Sequence, residues 1–139
     1  MIADKVRLGG ILIILSLFFS GTSFAKAPSH TESELSMQST FSLGNNGFIG
    51  SVSEAEKLYL AILQQDNGGD IFMRLAISST STPESKLYAI CGLKKLGREP
   101  PSSAALSKIL NQDITMLKGD ILRKVKFSEV YDSIKINGC

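Results

Sequence analysis

TPESKLYAICGLKKLG, residues 82–97, decides how this chain reads. Thr82 is a helix N-cap by type, and Pro83 follows at the first helical position, where its missing N–H costs nothing. Glu84 lies in the first turn, where a carboxylate favours the helix dipole. Leu87, Ile90 and Cys91 share one face, and Ala89, Leu93 and Leu96 share an adjoining one. So wide an apolar arc marks a central helix. Gly97 closes it, and Pro100-Pro101 block any restart before Ser102.

Working upstream, SEAEKLYLAILQQDNGG reads as a helix opening on Ser53, with Glu56 completing the S-x-x-E capping-box pattern. Leu58, Ala61 and Ile62 form its apolar face. Asn67-Gly68-Gly69 are expected to end it, and Asp70 to cap a second helix over residues 71–78. Downstream, a fourth helix is expected over roughly 102–110, burying Leu106, Ile109 and Leu110. Helix, Gly/Pro break, helix is the pattern of stacked helical hairpins (HEAT-like), although no self-similar repeat runs through the chain.

The tail departs from that pattern. In DITMLKGDILRKVKF apolar side chains partly alternate, and Gly119-Asp120 is a turn or bulge signal, so extended structure with a short hairpin is expected; helix is the competing reading. A last helix follows from Ser128, with Val130, Tyr131 and Ile134 inward, ending at Asn137-Gly138. The fold class is therefore mainly α, with a short extended or β segment near the C-terminus.

The N-terminal residues 1–25 have the form of a secretory signal peptide. Lys5 and Arg7 precede the apolar run ILIILSLFF at residues 11–19, and Ser23 and Ala25 suit a cut before Lys26. The run is shorter than the about 20 apolar residues a membrane span needs, so no stable membrane anchor is expected after cleavage. The expected organisation is signal peptide 1–25, flexible leader 26–52 and a single helical domain 53–139. Low hydrophobicity predicts disorder to about Thr40. Phe41, Leu43, Phe48 and Ile49 are candidates to dock back on the domain or to be swapped between protomers. The expected localisation is periplasmic or secreted.

Removing Lys5, Arg7 and Asp4 from 15 basic and 13 acidic residues leaves about +1. That balance argues against nucleic acid or an anionic surface as partner. The clusters Lys94, Lys95, Arg98 and Arg123, Lys124, Lys126 read as solvated helix ends. With no tryptophan and three tyrosines, an aromatic stacking platform is not expected; Tyr59 and Tyr88 read as core residues with a polar tip.

Two cysteines in an exported chain favour a structural bridge, Cys91 to Cys139, which would pin the tail helix to the central one. Free thiols are the first alternative. A nucleophilic Cys91 is the second, but the sole histidine, His30, sits in the leader, and a thiolate needs a stabilising partner. No metal site is expected, because two cysteines and one histidine fall short of a ligand set. Glu54, Glu56, Asp113 and Asp120 read as surface acids, and no G-x-S-x-G, H-E-x-x-H or phosphate loop occurs. Neither a cofactor nor catalysis is expected.

TPESKLYAICGLKKLG together with MLKGDILRKVKFSEVYDSIKINGC resembles a family of small exported bacterial proteins. Its members carry an S/T-P-x-x-x-LYALCGL helix followed by a T-x-x-G-C-I strand, and one is encoded within enterobacterial microcin gene clusters. The resemblance covers residues 54–139 and is sharpest at LYAICGL, residues 87–93. It carries over no catalytic residues. The chain departs from the pattern at Asp120, where the family often has cysteine, so a pairing with that position elsewhere would here shift to Cys139 or be absent. The resulting expectation is a non-catalytic helical protein-binding module, with a toxin, microcin or envelope protein as partner. A self-associating structural protein is the alternative, and a cysteine-dependent enzyme ranks below both.

Overall fold

The computed structural model describes residues 28–44 and 50–139. Within them the order is α1 (His30–Ser36), α2 (Glu54–Leu63), α3 (Gly68–Ile77), α4 (Pro83–Lys95), β1 (Asp113–Lys118), β2 (Ile121–Lys126) and α5 (Phe127–Asn137). The architecture is mainly α with a two-stranded antiparallel sheet near the C-terminus. The signal-peptide reading, Phe48 and Ile49 lie outside the described residues.

α4 is the central helix. The Thr82 side chain accepts from Ser85 N at 3.1 Å, Pro83 opens the helix, and Gly97 takes φ +70° just beyond it. Every residue from 84 to 93 is buried, so neighbours cover the helix on all faces. Its main neighbour is α3, which runs antiparallel to it. Phe72 faces Gly92, and Ala76 lies opposite Lys86. Gly92 is required there: a Cβ would fall 2.2 Å from the Phe72 ring. Phe72, Tyr59 and Tyr88 form an aromatic cluster where α2, α3 and α4 meet, with centroids 5.6 and 6.1 Å apart.

Ser53 caps α2 as expected, accepting from Glu56 N at 3.1 Å. The next boundary differs. α3 already begins at Gly68, so Gly68 and Gly69 open that helix rather than closing the previous one. A Cβ on Gly68 would lie 2.3 Å from the Ile62 carbonyl oxygen. These glycines serve a close helix–helix turn, which in sequence looks the same as a C-cap.

Two further expectations are corrected. Where the sequence predicts disorder to about Thr40, α1 stands at residues 30–36, with Leu35 fully buried. Long-range partners hold it, which is why its polar sequence did not signal it. Glu32 receives a two-pronged bond from Arg74 (Nε at 3.0 Å, Nη2 at 2.9 Å), and Ser36 O accepts from Thr82 N at 3.0 Å. The second correction is the helix expected over 102–110, which is a run of turns instead. Its bonds are largely of the i→i−3 kind, as from Ser107 N to Ala104 O and Ile109 N to Leu106 O. Leu106 is buried, Ile109 and Leu110 only partly, and residues 102–105 are exposed, too little apolar face to hold a regular helix.

The tail is a β-hairpin in the register Asp113↔Lys126 to Lys118↔Ile121. Gly119 (φ +62°) and Asp120 form a two-residue turn, with glycine where a type II′ turn demands positive φ. Ile114 is fully buried and anchors β1 to the helical body. Phe41 docks as expected: it bridges to Met116 along the other edge of β1 and meets the Tyr88 ring at 4.9 Å. α5 starts at Phe127, and Gly138 follows it with φ +76°.

Candidate functional site

Cys91 and Cys139 are joined in a disulfide, their Cα atoms 5.8 Å apart. Cys91 is 1% exposed in the middle of α4, so the bond fastens the end of the chain to the most buried helix. Further contacts support the same junction. Tyr131 donates to Pro101 O at 2.7 Å, and Lys94 donates to Lys135 O at 3.1 Å. In this state Cys91 offers neither a thiolate nor a metal ligand.

Several of the titratable groups noted in the sequence are occupied structurally. His30 is exposed at the start of α1 and pairs with Glu34 at 3.2 Å. Glu54 pairs with Lys57, Glu56 accepts from Gly44 N at 2.8 Å, and Asp113 pairs with Lys126. No group of three metal-ligating side chains occurs among the described residues.

Three buried polar groups on α4 tie segments together, and of these only Lys86 was not singled out from sequence. Glu84 accepts from Thr115 N at 2.9 Å, tying β1 to α4. Lys86 donates to the carbonyls of Ala76 and Ser78, satisfying the C-terminal end of α3; burial pulls its ammonium below the ordinary lysine pKa. Tyr88 is fully buried; its hydroxyl accepts from Ser42 N and donates to Ser42 O, both at 2.8 Å, and burial raises its pKa. Each is spent on holding segments together. Lys86 had no clear signal in sequence, since a buried lysine at helix spacing looks like a surface one.

One exposed surface is the hairpin. Residues 121–124 are all exposed, and Ile121 and Leu122 are 66% and 62% exposed. Arg123, Lys124 and Lys126 are therefore not at a solvated helix end, as the sequence suggested: the first two lie on β2, and Lys126 is the N-cap of α5. Lys94 and Lys95 do sit in the last turn of α4, and Arg98 pairs with Asp70 at 2.9 Å.

The hairpin register sets where the backbone groups point. A two-residue turn makes Lys118↔Ile121 a hydrogen-bonded pair, and bonded pairs alternate from there through Met116↔Arg123 and Ile114↔Val125. Thr115 and Leu117 then face away from β2. Their bonds agree: Thr115 O accepts from Phe41 N (2.8 Å), and Leu117 N donates to Phe41 O (2.9 Å). By the same alternation Leu122 and Lys124 face away from β1. Nothing among the described residues pairs with their outward N–H and C=O groups. One edge of the sheet is filled and the other is open.

A concavity of about 650 Å³ lies beside the disulfide, among Glu56, Tyr59, Leu60, Leu63, Lys94, Lys95 and Cys139. Its wall mixes apolar side chains with Glu56, Lys94 and Lys95. No helix among the described residues is long and apolar enough to cross a membrane. Compared with protein-family models, curated proteins and solved structures, the chain matches none of them.

Proposed function

We propose that the chain is an exported, non-catalytic protein-binding module working in the periplasm or the medium, with a toxin, microcin or envelope protein as the class of partner. The observation that carries this reading is the open β2 edge. A stapled helical body holds out a short strand whose backbone groups and apolar tip side chains have no use inside the fold. The disulfide supports the compartment, since such bonds persist where the surroundings are oxidising. The signal-like pattern of residues 1–25 and the resemblance of LYAICGL to small exported proteins point the same way.

The rival reading, a self-associating structural protein, drew on Phe41, Leu43, Phe48 and Ile49 as swappable elements. Phe41 is 6% exposed within its own chain and is bonded on both sides to β1, which favours the binding module. Chemical cross-linking of the protein in the envelope and medium of the producing cell tests the proposal. One dominant heterologous product is expected. Self-cross-links alone would transfer the weight to the oligomer.

A further inference from the structure

Resting on that reading, we infer that the partner is an extended segment bearing acidic side chains, and that it joins the sheet as a third full strand along the outer edge of β2, beside Leu122 and Lys124.

The backbone supplies the first half of the recognition. The outward N–H and C=O groups of Leu122 and Lys124 provide two donors and two acceptors, spaced as a strand presents them. An added strand satisfies them without altering the β1–β2 ladder. Ile114 and Phe41 hold β1 against the core, and residues 121–124 of β2 stay exposed, so the edge at Leu122 and Lys124 is accessible.

Charge supplies the second half. The hairpin carries Lys118, Arg123, Lys124 and Lys126 against Asp113 and Asp120. Lys126 is paired to Asp113, and the Lys124 ammonium contacts the Thr115 hydroxyl, a neutral group. Lys118, Arg123 and Lys124 therefore keep their charge uncompensated by any carboxylate among the described ion pairs. Arg123 and Lys124 are consecutive and project to opposite faces of β2. A strand lying alongside would meet a cation on each face, and carboxylates on both of its own faces answer them. Ile121 and Leu122 likewise offer one apolar contact per face next to the turn.

The same charges disfavour a second copy of this chain as occupant. Antiparallel pairing of β2 with itself, centred on Arg123, sets Arg123 against its own counterpart, with Lys124 of each copy close by. Like charges directly opposed across a ladder are destabilising.

The probe is a capped peptide, Thr-Val-Glu-Glu-Val-Thr, titrated to millimolar concentration into the disulfide-intact full chain and followed by amide chemical shifts. Largest shifts at Leu122 and Lys124 are expected, lost when the peptide backbone is N-methylated. Lys124→Pro removes an outward donor while sparing the β1–β2 ladder and should weaken binding about tenfold or more, the worth of one well-made hydrogen bond. Should that variant fold poorly, Lys124→Glu keeps the backbone donor and reverses the charge, and it should likewise weaken binding about tenfold or more. Absence of edge shifts at millimolar peptide overturns the inference. So does undiminished binding by the N-methylated peptide or by both variants. The broader reading fails separately: a cellular partner cross-linking equally to wild type and Lys124→Glu would sink the edge and leave the binding module standing, whereas no partner for either removes both.

Discussion

α4 and β2 are close to opposites. From 84 to 93 no residue of α4 reaches solvent appreciably, and even its Glu84, Ser85 and Lys86 are covered. From 121 to 124 every residue of β2 is exposed, its isoleucine and leucine included. A chain of this size has apolar surface enough for only one modest core. It concentrates that core around α4 and still leaves two large aliphatic side chains in water at the hairpin tip. Under the proposed function, stability and recognition are thereby separated: changes near α4 should be felt as unfolding, and changes at residues 121–124 of β2 should leave the fold nearly untouched.

The largest test of that division is the staple. Opening the disulfide with Cys139→Ser frees a chain separation of 48 residues and should cost about 4 kcal/mol in urea denaturation, on the chain-entropy estimate. An unchanged midpoint would mean that α5 is held by Tyr131 and its neighbours alone. Next comes Leu35→Ala. Leu35 is fully buried, so its truncation should cost about 2–5 kcal/mol. A leader independent of the domain would show no loss at all, making this variant a direct check that α1 belongs to the body.

Gly92→Ala is expected to cost about 1–3 kcal/mol, because its Cβ would press into the fully buried Phe72 ring. A stability equal to wild type would show that α3 and α4 can separate without penalty. A smaller effect, about 1 kcal/mol at neutral pH, is expected for Tyr88→Phe, which deletes the hydroxyl bonded to Ser42. Its pH dependence sharpens the point. Burial raises the Tyr88 and Tyr59 pKa values above the ordinary 10.0, so the unfolded chain loses these protons first. Their contribution is complete below about pH 10 and is lost as pH climbs through the raised folded values. Lys86 acts in the opposite sense, its depressed pKa adding stability as pH rises toward 10.5, but it is one group against two. Thermal melts followed by circular dichroism should therefore fall above pH 10 in the wild type and fall less steeply in Tyr88→Phe. Parallel slopes would show that the Tyr88 hydroxyl titrates as if exposed. Smallest of all, Lys124→Gln should change stability by less than about 0.5 kcal/mol, as for an exposed strand residue away from any packing.

Much of this contrast was legible in the sequence, and the exceptions share a cause. Thr82-Pro83 and Gly97 bracket α4 by local chemistry, and Gly119-Asp120 marks the hairpin turn, so both elements were readable from neighbours in the chain. The pairing of Cys91 with Cys139 followed from there being two cysteines and an export-like N-terminus. What was hidden depends on distant partners. α1 has one strongly apolar residue on its inner face and owes its place to Arg74 and Thr82, more than forty residues away. Gly68 and Gly69 carry the same letters whether they end one helix or open the next. The segment 102–110 has apolar letters at helical spacing, but the fold buries only Leu106 fully, so the pattern lacked a surface to pack against. The open edge of β2 could not be read at all before the register was known. Its only hint was Ile-Leu followed by Arg-Lys just past a turn.

Residue-resolved amide hydrogen exchange on the free, disulfide-intact protein tests the division most directly. Alternation is predicted along β2: Leu122 and Lys124 exchange at rates near those of an open chain, Arg123 and Val125 are slowed by their bonds to β1, and the α4 amides are slowest of all. Protection of Leu122 and Lys124 equal to that of Arg123 and Val125 would contradict the account, because the edge proposed for a partner would already be covered by the chain itself.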